Sequence, residues 1–319
     1  MKLITIDDVP GGSPGAMLDN GEMLHLRRSA REGTIEAWLP GSVAAILAAG
    51  PEGVEAAAGI AKRAEALDED GRARLRSNGA LLPATMRLLP PIPRPGLIVA
   101  AGLAYRSHLE EMSGTPAPPH PTGFMKSPTS LSATGQTLLL PRGATERVDF
   151  EGELAIIFGR HCHDIAEDEA FDYVAGYAVA NDFSARDWVE AVWQATAPWE
   201  ARLTWEVNIM GKQMPGFTAL GPCIVTKDDI PDPTALRLTT EINGKVMQDA
   251  LVSDLIFPLA RSIAHFSRWY SFAPGDVLLT GTPAGVGVGR KPQVFMRDGD
   301  EIEVRIDRIG ALRNRFAAG

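Results

Sequence analysis

Two glutamates one residue apart, Glu151 and Glu153, sit in the stretch DFEGELAIIFG (149–159). Side chains alternate between faces along a strand. The spacing therefore predicts both carboxylates on one side and Gly152, Leu154, Ile156 and Phe158 on the other. Like charges aimed the same way repel unless a cation lies between them, and a hard divalent ion with oxygen ligands is the common remedy. A third carboxylate, Asp182, ends the next strand-like run, GYAVAND. Three carboxylates leave about half of an octahedral shell for water and substrate, which suits Mg²⁺ or Mn²⁺. Taken alone, the Glu-x-Glu pair also fits two solvated side chains on an exposed strand.

A second element is AAGLAYRSHLEEM, which follows a buried-looking strand at 97–101. A helix over 105–112 places His108 and Glu111, three apart, on one face. A carboxylate against an imidazole fixes the tautomer and raises basicity, as a general base for water requires. By themselves the two also fit an incidental surface ion pair. The loop SGTPAPPHPTG (113–123) is too rich in Pro and Gly to pack regularly, and it reads as either a lid or a passive connector.

Other chemistry-bearing residues fit blander roles. His161, Cys162 and His163 are consecutive, so they cannot converge on one ion and read as a polar turn. His25, His120 and His265 have no partners in sequence and read as structural. GTPAGVGVGR (281–290) follows a strand, but no helix-forming sequence and no Lys-Ser/Thr ending come after it. It is a tight turn rather than a phosphate loop. Ser184 lies in no nucleophile elbow.

The elements that must position these groups are legible from hydrophobic patterning. LITI, AML and MLHL read as short N-terminal strands, and an Ala-rich helical stretch runs from Ser42 to about Leu67 with a break near Gly50-Pro51. LLPPIPRPG (88–96), the most Pro-dense stretch, reads as a linker. It divides a small α/β domain (1–92) from a catalytic domain (93–319). Beyond it the pattern is mostly β: GLIVAAG, ELAIIFG, YAVAND, CIVT, LRLTTEI, VMQDALV and DVLLTG, with helices near 105–112, 187–195 and 255–269. Asn243-Gly244 predicts a type I′ hairpin. The fold class is α+β.

Composition narrows the function. Lys and Arg number 31 against 40 Asp and Glu, a net charge of −9, which argues against nucleic acid and anionic membranes as partners. No run approaches the roughly 20 apolar residues of a membrane span, and the N-terminus has no signal-like apolar region. The two cysteines, Cys162 and Cys223, form no C-x-x-C pair, so a reducing, cytoplasmic setting is expected.

The stretches GLAYRSHLEEM, FMKSPTSL, VDFEGELAIIFGR, DYVAGYAVANDFSARDW, GKQMPGFTALGPCIVT, EINGKVMQDALVSDLIF and PGDVLLTGTPAGVGVG, over about 97–290, resemble the fumarylacetoacetate hydrolase family. The resemblance implies a mixed-β roll catalytic domain, usually dimeric, with Mg²⁺ or Mn²⁺ on Glu151, Glu153 and Asp182. It implies His108 and Glu111 as a water-activating dyad, and Tyr105, Lys126, Arg186, Lys212 and Thr282 as substrate contacts. The chain departs from many acylpyruvase-like members in having Val189 after Trp188 where they carry Gln, and its 189–211 segment is longer and richer in Trp. The expected activity is hydrolysis of a C–C bond in a 2,4-diketo acid or acylpyruvate. His108 would deprotonate water, and the metal with Lys212 would stabilise the departing enolate. The alternatives are a decarboxylase, hydratase, dehydratase or isomerase acting on oxaloacetate or another 2-oxo acid through the same enolate, and a catalytically silent scaffold. A homodimer with a small-molecule partner is expected.

Overall fold

The computed structural model describes residues 1–31, 34–112, 115–141 and 143–319, arranged as an α+β fold built on mixed sheets. The larger sheet has at its centre Thr218–Thr226, Val174–Asp182, Gly152–Phe158 and Val277–Leu279, each antiparallel to its neighbour. Ile98–Gly102 joins parallel to Val277–Leu279, and Thr122–Lys126 closes that edge. A second sheet of five strands, Lys245–Leu251, Arg237–Ile242, Glu301–Ile306, Gly310–Ala318 and Thr137–Leu140, packs on one face. Its turn has Asn243 at φ 50° and Gly244 at φ 77°, the two positive angles that the hairpin signal requires.

Strand alternation splits the buried residues into two cores. Leu154, Ile156 and Phe158 face the second sheet and pack with Leu238, Val304 and Phe316. Ala155 and Ile157 point the other way, into a cluster that includes Ala178, Ala180 and Phe124 and reaches Ile46 and Ile60 of the helices Val43–Ala48 and Pro51–Glu65. Glu153 continues the second face, so the carboxylates stand where an apolar face gives way to charge.

The first 92 residues add strands to this same sheet, with Lys2–Ile6 pairing with Thr218–Thr226. The Pro-dense stretch is not the loose linker expected of it. Leu88–Leu89 pairs with the first strand, Pro91 accepts a hydrogen bond from Thr5 Oγ1 (2.7 Å), and Ile92 is buried. Proline's missing donors matter little here, because Pro90 and Pro91 follow the paired Leu88–Leu89 and are held by burial and, for Pro91, by its carbonyl oxygen. Of the loop 113–123, residues 113 and 114 lie outside the described residues, and Thr122 and Gly123 belong to a strand. The long helix Pro198–Gly211, within the Trp-rich segment, has no counterpart among the predicted elements. Among the described residues, no helix is long and apolar enough to cross a membrane.

Candidate active site

Glu151, Glu153 and Asp182 are buried at the ends of two adjacent strands, each offering an oxygen within 4.8 Å of the others. Pairing sets this arrangement: Gly152 faces Asn181 in register, Asp182 N donates to Glu151 O (2.9 Å), and Glu151 N donates to Asn181 Oδ1 (2.9 Å). Gly152, between the two glutamates, packs directly against the second sheet. A Cβ there would lie 2.4 Å from Thr240 Oγ1 and 3.0 Å from a Val304 methyl, so the position excludes a side chain.

Three cations surround the carboxylates. Lys212, just past the helix Pro198–Gly211, donates to Glu151 Oε2 (2.6 Å) and Asp182 Oδ2 (2.8 Å). Lys126, from Thr122–Lys126, pairs with Asp182, and Arg186 pairs with Glu151 and with Asp149. The two lysines differ electrostatically. Burial pushes Lys126 down, and the charge of Asp182 does not offset it. Burial acts on Lys212 too, but Asp182 and Glu151 together outweigh it and the ammonium is held above its usual value.

The glutamates differ in the same way. Burial opposes ionisation of Glu151, yet Lys212 and Arg186 hold it well below the usual carboxylate range. Glu153 accepts Gly281 N–H (2.7 Å) and has no ion-pair partner among the described residues. Burial, then the charges of Asp182 and Glu151, raise it well above the ordinary value. A carboxylate in that position calls for a proton or a further cation, and an all-oxygen donor set fits a hard divalent ion.

His108 and Glu111 lie side by side. Arg106–Glu111 is helical, His108 Nδ1 lies 3.4 Å from Glu111 Oε2, and both side chains are largely buried. Glu111 is fixed in turn by Gly285 N–H (2.9 Å). His108 is close enough for its charge to help lower Glu151. Tyr105 caps this helix, buried beside Glu153, and burial followed by that charge raises its phenol. Thr282 donates to Gly152 O (2.9 Å) and accepts from Gln248 Nε2 (2.7 Å). The structure thus gathers all ten predicted site residues around one end of the sheet. The exposed His161 and His163 flank a buried Cys162 bridged to Phe272, away from this end.

The glycine-rich segment 281–290 acts as an anion cradle for the protein's own carboxylates. Its backbone N–H groups serve Glu153 from Gly281, Glu111 from Gly285, and Asp149 from Gly287 and Val288. Sequence reasoning missed Asp149 and Gln248. Asp149 precedes Glu151 by two and Glu153 by four, so the alternation that found the glutamates, carried one step back, would have found it. Gln248 comes from the second sheet. Its Oε1 accepts from Gly152 N (2.9 Å) and Thr240 Oγ1 (2.8 Å), and its Nε2 donates to Thr282 and to Pro283 O.

The family model described as fumarylacetoacetate (FAA) hydrolase C-terminal matches residues 97–317. The oxaloacetate tautomerase YisK of Bacillus subtilis (strain 168) is 31% identical over 304 residues, 95% of each chain. The mitochondrial oxaloacetate tautomerase FAHD2A of Homo sapiens is 36% identical over 255 residues, 77% of each. Among solved structures, fumarylacetoacetate hydrolase from Exiguobacterium antarcticum aligns over the whole of both chains, with a TM-score of 0.77 and 28% identity. Maleylpyruvate hydrolase from Sphingobium sp. SYK-6, in complex with manganese(II) and pyruvate, also aligns over both whole chains, with a TM-score of 0.71 and 25% identity.

Proposed function

Since the chain belongs to the fumarylacetoacetate hydrolase family, we propose that it is a metal-dependent tautomerase interconverting the keto and enol forms of oxaloacetate or a similar 2-oxo dicarboxylate. Glu151, Glu153 and Asp182 would hold Mg²⁺ or Mn²⁺. The observation that carries this reading is the buried Glu153, crowded by two carboxylates and without an ion-pair partner among the described residues, with a histidine–glutamate pair alongside. Support for oxaloacetate comes from the two tautomerases, one similar along nearly its whole length. This reading displaces C–C hydrolysis as the leading expectation.

A divalent ion held by Glu151, Glu153 and Asp182 would supply positive charge to offset that of a developing enolate. His108 Nε2 takes the proton from C3 and returns it to the 2-oxo oxygen, so a C–H bond breaks and an O–H bond forms with no other reactant. Glu111, held by Gly285 N–H, fixes the ring so that Nε2 is the atom offered. Lys126, Lys212 and Arg186 supply the cationic field that a dicarboxylate needs, and Tyr105 and Thr282 line the place where it binds.

The second reading, hydrolysis of a diketo acid, is favoured by the full-length similarity to maleylpyruvate hydrolase. The same dyad would then take its proton from water. One assay separates the two: loss of ultraviolet enol absorbance from oxaloacetate, with and without a chelator, beside release of pyruvate from acylpyruvates. We expect metal-dependent enol loss without pyruvate release. Cleavage of acylpyruvates with no effect on oxaloacetate would reverse the assignment. A homodimer belongs to this reading as well, with exposed Trp199, Trp205 and Met210 as an apolar surface for a second copy.

A further inference from the structure

The carboxylate of Asp149 is fully buried and accepts from four N–H groups: the backbone of Phe150 (2.8 Å), Gly287 (2.6 Å) and Val288 (3.1 Å), and Nε of Arg186 (2.9 Å). The other arm of the same guanidinium reaches Glu151. Arg186 is therefore shared between Glu151, a member of the cluster, and Asp149, which is not one of its three carboxylates. We propose that Asp149 is a positioning residue that holds Arg186 partly off Glu151 and ties the glycine-rich turn to the strand carrying Glu151 and Glu153.

The argument is one of competition. A guanidinium is always charged and seeks paired acceptors. As the structure stands, the guanidinium is divided between the Asp149 and Glu151 carboxylates. With the Asp149 carboxylate replaced by an amide, the guanidinium's attraction falls on Glu151, whose oxygens a divalent ion would also need. The turn makes the arrangement stiff. A Cβ on Gly287 would lie 1.8 Å from Val294 O and 2.6 Å from Asp149 Oδ1, so only bare backbone fits between them. One carboxylate thus fastens the turn and occupies the arginine at once, and its orientation of Arg186 governs how open Glu151 is to a cation.

This inference rests on the metal reading above, and the test separates the two. Mn²⁺ alone is titrated into the full chain and free ion is followed by electron paramagnetic resonance, with thermal melting in parallel. Wild type is compared with E153Q, D149N, R186Q and the double variant D149N/R186Q. An amide offers one acceptor oxygen to four donors, so D149N breaks the arrangement with little change of shape. We expect Mn²⁺ binding by wild type to be lost in E153Q and weakened on the order of 10-fold in D149N. In the double variant it should return to within about threefold of R186Q, because the competing cation is gone. Wild-type affinity in D149N would overturn the proposal, as would a double variant no better than D149N, which would mean that Asp149 serves the fold alone. If D149N fails to fold, recovery of a folded, Mn²⁺-binding chain by R186Q in that background supports the proposal and its absence overturns it. No Mn²⁺ binding by wild type would overturn the metal reading and this inference with it.

Discussion

The two helices that reach the carboxylate cluster are held in opposite ways. Arg106–Glu111 is short but tied along its length. Arg106 donates to Leu255 O (2.6 Å), Ser107 donates to Asp254 Oδ2 through N (3.0 Å) and Oγ (2.5 Å), and Glu111 accepts from Gly285 N. Pro198–Gly211 is longer and turns one side inward. Asn208 and, beyond its end, Lys212 are buried, whereas Trp199, Leu203, Trp205, Val207 and Met210 are exposed. The difference fits the work that the proposed function gives to each. A group that moves a proton must be fixed to a fraction of an ångström, whereas a helix supplying one cation at its end leaves its outer face free to vary.

Breaking the dyad should cost most. H108A is expected to lower kcat for enol loss by at least about 100-fold with Mn²⁺ binding kept, and turnover within a few-fold of wild type would contradict its role. Loosening the anchor comes next. D254A removes the acceptor of both Ser107 donors, and should lower kcat about tenfold and the melting temperature by a few degrees. Changes on the outer face of the longer helix should spare chemistry. W205S/M210S is expected to keep kcat within about twofold, because neither side chain is buried, while sedimentation shifts toward a lighter species.

The smallest effect concerns the segment after the dyad helix. His120 stacks on His265 with ring centroids 5.3 Å apart, and burial, then the charge of His120, lowers His265 below its usual value. A histidine lowered in the folded state leaves the unfolded chain binding more protons. Stability then rises with pH through the window below about 6.5 and is lost on acidification. Melting of wild type at pH 7.5 and 5.5 should differ more than that of H265F, by about 2 °C or less. Equal differences would remove any role for this pair.

The paired glutamates were legible because strand alternation is local: Glu151 and Glu153 share a face whatever the rest of the chain does. Asp182 was legible as the last residue of a strand, and His108 with Glu111 through helical spacing. Alternation could have placed Asp149 on the same strand face, but the arginine and the turn it serves lie 37 to 139 residues away, and Gln248 reaches Gly152 across 96 positions. No window of sequence contains such pairs. The helix Pro198–Gly211 escaped because Trp, Leu, Val, Ile and Met occur on several of its sides and leave no stripe to read. The reaction stayed open for a chemical reason. Tautomerisation and hydrolysis both need charge at a 2-oxo oxygen and a base beside it, and they differ in whether a water molecule takes part.

The pairing of Lys2–Ile6 with Thr218–Thr226 has a practical consequence for any attempt to shorten the protein. A chain beginning at residue 97 would keep every acidic and basic group of the site. It would also strip the edge beside Ile224 and Val225 of its neighbour and uncover Ala178 and Ala180 where the lost helices' cluster had closed over them. Bare backbone donors and acceptors next to aliphatic surface make a template for the next molecule, so such a fragment should precipitate before its catalysis can be measured.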